Sequence, residues 1–95
     1  MAAPLASGNA VIIKPSDETP LSALWLGKIL EDIFPEGVLS VLTGGPELGS
    51  AICKHPDIAA VSLVGSVQTG KAVLKAAADS MKRTQLELGG KNALI

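Results

Sequence analysis

Glu87 is the side chain whose type and setting most suggest chemistry. It lies in LELGGK, Leu86 to Lys91. Thr84, Leu86 and Leu88 alternate with Gln85 and Glu87, the period of a strand. Gly89-Gly90 then breaks the pattern and must end or turn the strand. A carboxylate on a strand end beside such a step stands where parallel α/β sheets place their sites. Partly desolvated, it could serve as a general base. On the pattern alone, the ordinary reading is the solvent-facing member of an alternating strand.

Other candidates sit at comparable junctions. Ser66 follows Gly65 between an apolar run and a helical pattern. A helix start there offers N–H groups and a positive dipole end to a phosphate, or uses Ser66 only as an N-cap. Gly65 and Gly70 are five apart, and no GxGxxG occurs. Lys14 closes an apolar run on the same expected sheet edge and could meet a ribose hydroxyl or a phosphate. Asp17 could accept from ribose hydroxyls and would repel a 2′-phosphate, or be a turn aspartate. Cys53 reads as a small buried filler. His55, before Pro56 and without a titratable partner nearby in sequence, reads as a helix-end residue.

The elements that must carry these residues alternate. Met1 to Ser7 reads as a helix tail closed by Gly8-Asn9, and Asn9 to Lys14 as a buried strand ended by Lys14-Pro15. Thr19 is the expected N-cap, with Pro20 first, of a helix over Leu21 to Phe34. Its apolar face is Leu26, Ile29, Leu30 and Ile33, and Trp25 is expected to pack. Pro35-Glu36-Gly37 stops it. Val38 to Thr43 reads as a strand, Glu47 to His55 as a short helix with Leu48, Ala51 and Ile52 inward, and Ala59 to Val64 as a strand. A helix from Val67 to about Ser80 sets Val73, Ala77 and Met81 against Gln68, Lys71, Lys75 and Asp79. Asn92 to Ile95 looks like the opening of a further strand. The order β-α-β-α-β-α-β, with short connections, predicts an α/β fold: a parallel sheet with right-handed crossovers and covering helices.

Composition narrows the partners. Hydrophobic residues are 47% and charged residues 18%, which suits a buried core over disorder. Trp25 and Phe34 are the only aromatics, the net charge is −1 and basic residues are scattered, so nucleic acid is a poor partner. One cysteine excludes an internal disulfide framework and an all-cysteine zinc site. The N-terminus lacks the pattern of a signal peptide, and no apolar run approaches the ~20 residues of a membrane helix. A cytoplasmic setting without membrane or metal is the expectation.

Four stretches together resemble the coenzyme-binding domain of the NAD(P)-dependent aldehyde dehydrogenases. They are LASGNAVIIKPSDETP from Leu5, GVLSVLTGGPELG from Gly37, VSLVGSVQTG from Val61 and LELGGKNA from Leu86. They occur in the family's order and spacing and cover essentially the whole chain. The resemblance implies a Rossmann-like sheet that binds NAD, with NADP an option, without a full GxGxxG turn. It implies that Glu87 is the general base that activates water to hydrolyse a thioester. Lys14 would hold the adenosine ribose with Asp17 sharing the task, and Gly45 and Pro46 would flank the adenine. Gly65, Ser66 and Thr69 would approach the pyrophosphate, and the Leu88 backbone would lie near the nicotinamide. Asp17 leans the choice to NAD.

The departures carry their own expectations. The family's nucleophilic cysteine lies downstream of LELGGK, beyond Ile95, and Cys53 matches no such position. The asparagine of the oxyanion hole lies upstream of Met1. Leu63-Val64 stands where an aromatic-Thr pair is common. Residues 1–95 are thus expected to be part of a coenzyme-binding domain, with the catalytic and oligomerisation domains of a homo-oligomeric aldehyde-oxidising enzyme absent, and to be inert alone. The rival expectation is a stand-alone, non-catalytic nucleotide-binding or degenerate module. The mean hydropathy of +0.41 favours the first.

Overall fold

The computed structural model describes residues 1–90, so the strand expected over Asn92 to Ile95 lies outside the described residues. Two compact units are present, Met1–Gly45 and Pro46–Ile95.

In the first unit, α1 (Ala2–Ala6) and β1 (Val11–Ile13) precede α2 (Leu21–Leu30) and β2 (Leu39–Val41). β1 and β2 pair in parallel, Val11 opposite Leu39 and Ile13 opposite Val41. Parallel neighbours need a crossover, and α2 supplies it. Gly27 lets α2 settle on β2: a Cβ there would lie 2.8 Å from Val41 Cγ2. That approach selects the inward face, Ala23, Leu26, Gly27 and Leu30, all half-buried or at intermediate exposure.

The chosen face overturns part of the helical reading. Trp25 and Ile29 lie two residues either side of Gly27, about 200° around the helix. Trp25 is 68% exposed and does not pack, and Ile29 and Ile33 are exposed as well. α2 also ends at Leu30 instead of Phe34. The N–H groups of Ile33 and Phe34 both turn back to Leu30 O, because Pro35 disfavours helical backbone in the residue before it. At the other end Pro20 is the N-cap, with no side-chain cap bond. Thr19 instead closes a turn, its N–H donating to Ser16 O.

In the second unit, α3 (Pro46–Lys54), β3 (Ala60–Gly65), α4 (Val67–Ala78) and β4 (Arg83–Leu88) follow in order. β3 and β4 pair in parallel over six residues, from Ala60–Arg83 to Gly65–Leu88. Both strands alternate strictly. Val61, Leu63, Thr84, Leu86 and Leu88 turn one way, while Ser62, Val64, Gln85 and Glu87 are exposed on the other. Gly70 brings α4 onto the inward face: a Cβ there would lie 2.7 Å from a Leu88 methyl. Cys53, Val73 and Ala77 are the buried apolar residues, so Cys53 is the core filler expected. Burial pushes its thiol pKa above the ordinary value of 9.0, and the positive charge of Lys82 opposes this.

Met81, expected on the inward face of α4, is instead 90% exposed, with φ 51°. It is the left-handed residue of a helix-terminating Schellman motif. Lys82 N–H donates to Ala77 O at 3.2 Å and Met81 N–H to Ala78 O at 3.1 Å. Glycine usually holds that position, so a methionine there carries no sign of the motif. Gly89 and Gly90, by contrast, do not have positive φ, and a Cβ at either would meet nothing.

Four outcomes are expected from this packing. Gly27→Ala should destabilise the chain to chemical denaturation by about 1–2 kcal/mol, since valine is stiff at χ1 and cannot yield. Gly70→Ala should cost less, because the Leu88 methyls can rotate away and alanine gains helix propensity of about 1 kcal/mol. Met81→Gly should stabilise by about 1 kcal/mol by relieving a left-handed side-chain residue. Finally, folded Cys53 keeps its proton to higher pH than unfolded Cys53. Stability must therefore fall as pH rises above 9.0, through the folded value. Denaturation midpoints between pH 8 and pH 10 should show a steeper loss for the native chain than for Cys53→Ala.

Candidate functional site

Lys14 follows β1 directly and is half-buried, and Pro15 bends the chain so that Asp17 comes back to it. Lys14 Nζ lies 3.1 Å from Asp17 Oδ1 and donates also to Pro15 O at 3.0 Å. The two groups thus form one paired site, with the lysine side chain 23% and the aspartate 50% exposed. A half-exposed pair adds little stability, up to about 1 kcal/mol. Its consequence is placement: a donor and an acceptor held side by side match two neighbouring hydroxyls. Gly45 closes the first unit, at intermediate exposure, and exposed Pro46 opens α3 in the second.

In the second unit the candidates cluster at the C-terminal end of β3 and β4. Gly65 ends β3 and stands opposite Leu88, and Val64 stands opposite Glu87. Ser66 is the N-cap of α4: its Oγ accepts from Thr69 N–H at 3.1 Å and lies 2.9 Å from Thr69 Oγ1. The cap reading of Ser66 is correct. It also orders the helix start, where the N–H groups of Val67 and Gln68 have no intrahelical acceptor. The dipole end of a twelve-residue helix is therefore presented beside the last residues of the ladder.

Glu87 projects from the exposed face of β4 and has no ion pair among the described residues. The partial desolvation expected for it is not found there, since α4 covers the opposite face. Leu88, its neighbour, points inward against Gly70. His55 is a helix-end residue as expected: its Nδ1 accepts from Asp57 N–H at 3.2 Å just beyond α3. Trp25 belongs to no site.

One residue with a strong structural signature escaped the sequence. Lys82 is buried, and its Nζ donates to His55 O and Ile58 O, each at 2.6 Å. A lysine between a helix and a strand reads as solvated, and no spacing rule flags it. No described helix is long and apolar enough to cross a membrane.

Each unit offers its own groups, Lys14 and Asp17 in the first and the α4 start in the second. Lys14 and Asp17 offer complementary partners to vicinal hydroxyls, and the α4 start offers unpaired N–H groups to phosphate oxygens.

Comparison with known proteins identifies the family. The model of the aldehyde dehydrogenase family matches residues 1–95. An aldehyde dehydrogenase of Talaromyces stipitatus, tropH, is 54% identical over 95 residues, all of this chain and 18% of that protein. A betaine aldehyde dehydrogenase of Rhizobium etli is 49% identical over 92 residues, 96% of this chain and 19% of that protein. Among solved structures, a betaine aldehyde dehydrogenase of Staphylococcus aureus in complex with NAD+ superimposes with a TM-score of 0.92 at 35% identity. That alignment covers 97% of this chain and 19% of that one. PnpE in complex with nicotinamide adenine dinucleotide gives 0.88 at 42% identity, over 94% and 19%. The chain thus spans about a fifth of the length of the curated relatives it matches. It belongs to the aldehyde dehydrogenase family.

Proposed function

We propose that residues 1–95 form part of the coenzyme-binding domain of an NAD(P)-dependent aldehyde dehydrogenase, which oxidises an aldehyde to a carboxylic acid. The observation that carries this reading is the end of the β3–β4 ladder. Glu87 stands one residue along from the level of Gly65, where the capped start of α4 begins. A carboxylate able to take a proton and a helix end able to hold phosphate thus lie at one edge.

In this reading the Lys14 ammonium donates to, and the Asp17 carboxylate accepts from, ribose hydroxyls of the coenzyme. Gly45 and Pro46 flank the adenine. Gly65, Ser66 and Thr69 receive the pyrophosphate at the start of α4, and the Leu88 backbone borders the nicotinamide. NAD+, or NADP+, supplies a two-electron hydride acceptor when bound. A carboxylate at Asp17 disfavours a 2′-phosphate and so favours NAD. Glu87 takes a proton from the water that hydrolyses the thioester. The thiolate that forms the thioester comes from a cysteine other than Cys53, which is buried and held as a neutral thiol. Homo-oligomeric assembly and the aldehyde-binding tunnel belong to the complete enzyme, and residues 1–95 alone are catalytically inert.

The test is a chimera in which this chain replaces the matching segment of the Talaromyces stipitatus enzyme. Glu87→Gln should lower kcat by about 10²–10⁴-fold while the first-turnover burst of NADH remains, because only hydrolysis needs the base. Unchanged turnover would remove Glu87 from that role. Lys14→Ala should raise KM for NAD+ by about tenfold, one lost charge-assisted hydrogen bond, and leave the burst amplitude intact.

A further inference from the structure

Lys82 is the buried charged side chain of the described residues, at 9% exposure, and the chemistry proposed above does not use it. Its ammonium spans a loop. His55 O and Ile58 O, 27 and 24 residues away in sequence, lie on either side of the Pro56-Asp57 turn between α3 and β3. Removing an ammonium from water is costly unless its donors are used, so these two bonds hold the side chain in place. His55 O also lies just past the C-terminus of α3, where a cation suits the helix dipole.

The backbone reinforces the same junction. Met81, in its left-handed conformation, turns the chain so that Lys82 N–H reaches Ala77 O. The next residue, Arg83, makes the opening bond of the ladder, donating to Ala59 O at 3.1 Å. Helix α4, the α3–β3 turn and the first residue of β4 therefore converge on residues 81–83.

We propose that Lys82 is a positioning residue: its ammonium clamps the start of β4 to the α3–β3 turn and so sets the β3–β4 register that turns Glu87 outward. Register needs such a device here. Strand side chains have a period of two, so a slip of one residue would bury Glu87 under α4 and expose Leu86 and Leu88. The covered apolar face also disfavours that slip, and the Lys82 clamp adds to it at the first residue of β4. The consequence for catalysis rests on the assignment of Glu87 as base; the consequence for register does not.

The experiment separates the two. In the isotope-labelled chain, Lys82 ammonium protons should exchange at least about tenfold more slowly than those of exposed Lys71 and Lys75, and couple to the carbonyl carbons of His55 and Ile58. Lys82→Met, of similar length without donors, should abolish the cross-strand proximities of Ser62 with Gln85 and Val64 with Glu87. It should also lower β4 amide protection at least about tenfold while β1–β2 amides change little. Lys82→Arg should restore both. Ammonium exchange as fast as at Lys71, or a Lys82→Met chain with native proximities and protection, overturns the proposal. Should Lys82→Met fail to fold, the ammonium measurement on the native chain decides. In the chimera, Lys82→Met should lower kcat at least about tenfold with the NADH burst retained, and Lys82→Arg should recover it. Loss of burst and turnover together would mean a disrupted site and overturn the positioning role. If Glu87→Gln leaves turnover intact, the base assignment fails while the register measurement still judges Lys82.

Discussion

The close seating of a helix on its neighbouring strand, made at a glycine, is the constraint from which each unit's geometry follows. Parallel strands cannot be joined by a tight turn, so a helix must return the chain and rest on the ladder it has just built. In one unit Gly27 meets Val41; in the other Gly70 meets Leu88. The second contact has a direct chemical consequence. Holding Leu88 inward against α4 forces its neighbour Glu87 outward, because successive strand residues point to opposite faces. The outward turn of the proposed base thus goes together with the inward seating of Leu88 against Gly70.

Much of this was legible. The alternation of Thr84, Leu86 and Leu88, the glycine and proline punctuation, and the β-branched runs placed all four strands and the helices between them to within a few residues. Ser66 as a cap, Cys53 as filler and His55 as a helix-end residue were likewise readable, since each depends on local rules. What escaped depends on approach between segments distant in sequence. The apolar residues of α2 fit more than one helical face, and only the Gly27–Val41 contact selects among them, leaving Trp25 and Ile29 outside. Met81 in a glycine position and Lys82 reaching back across 24 residues to Ile58 O have no periodic signature at all.

The electrostatics divide the same way. Lys14 and Asp17 pair across three residues, at the surface, where water screens their attraction. Such a pair can exchange partners cheaply, which suits groups meant to bind a ligand's hydroxyls. Lys82 pairs with carbonyl dipoles in a buried setting, where leaving its partners is expensive. One lysine is available for exchange and the other is fixed, and burial, not residue type, makes the difference.

Placing Glu87 on the open face also satisfies a chemical demand. A general base that activates water must be reachable by water, so the covered side of the ladder would be the wrong one. Among the described residues this carboxylate has no ion-pair partner. What the structure supplies it is position: a strand end fixed in register, beside a helix start whose N–H groups suit a phosphate. On that view the segment contributes geometry more than reactivity. The residues that set the register of β4 are as much part of the site as the carboxylate they carry.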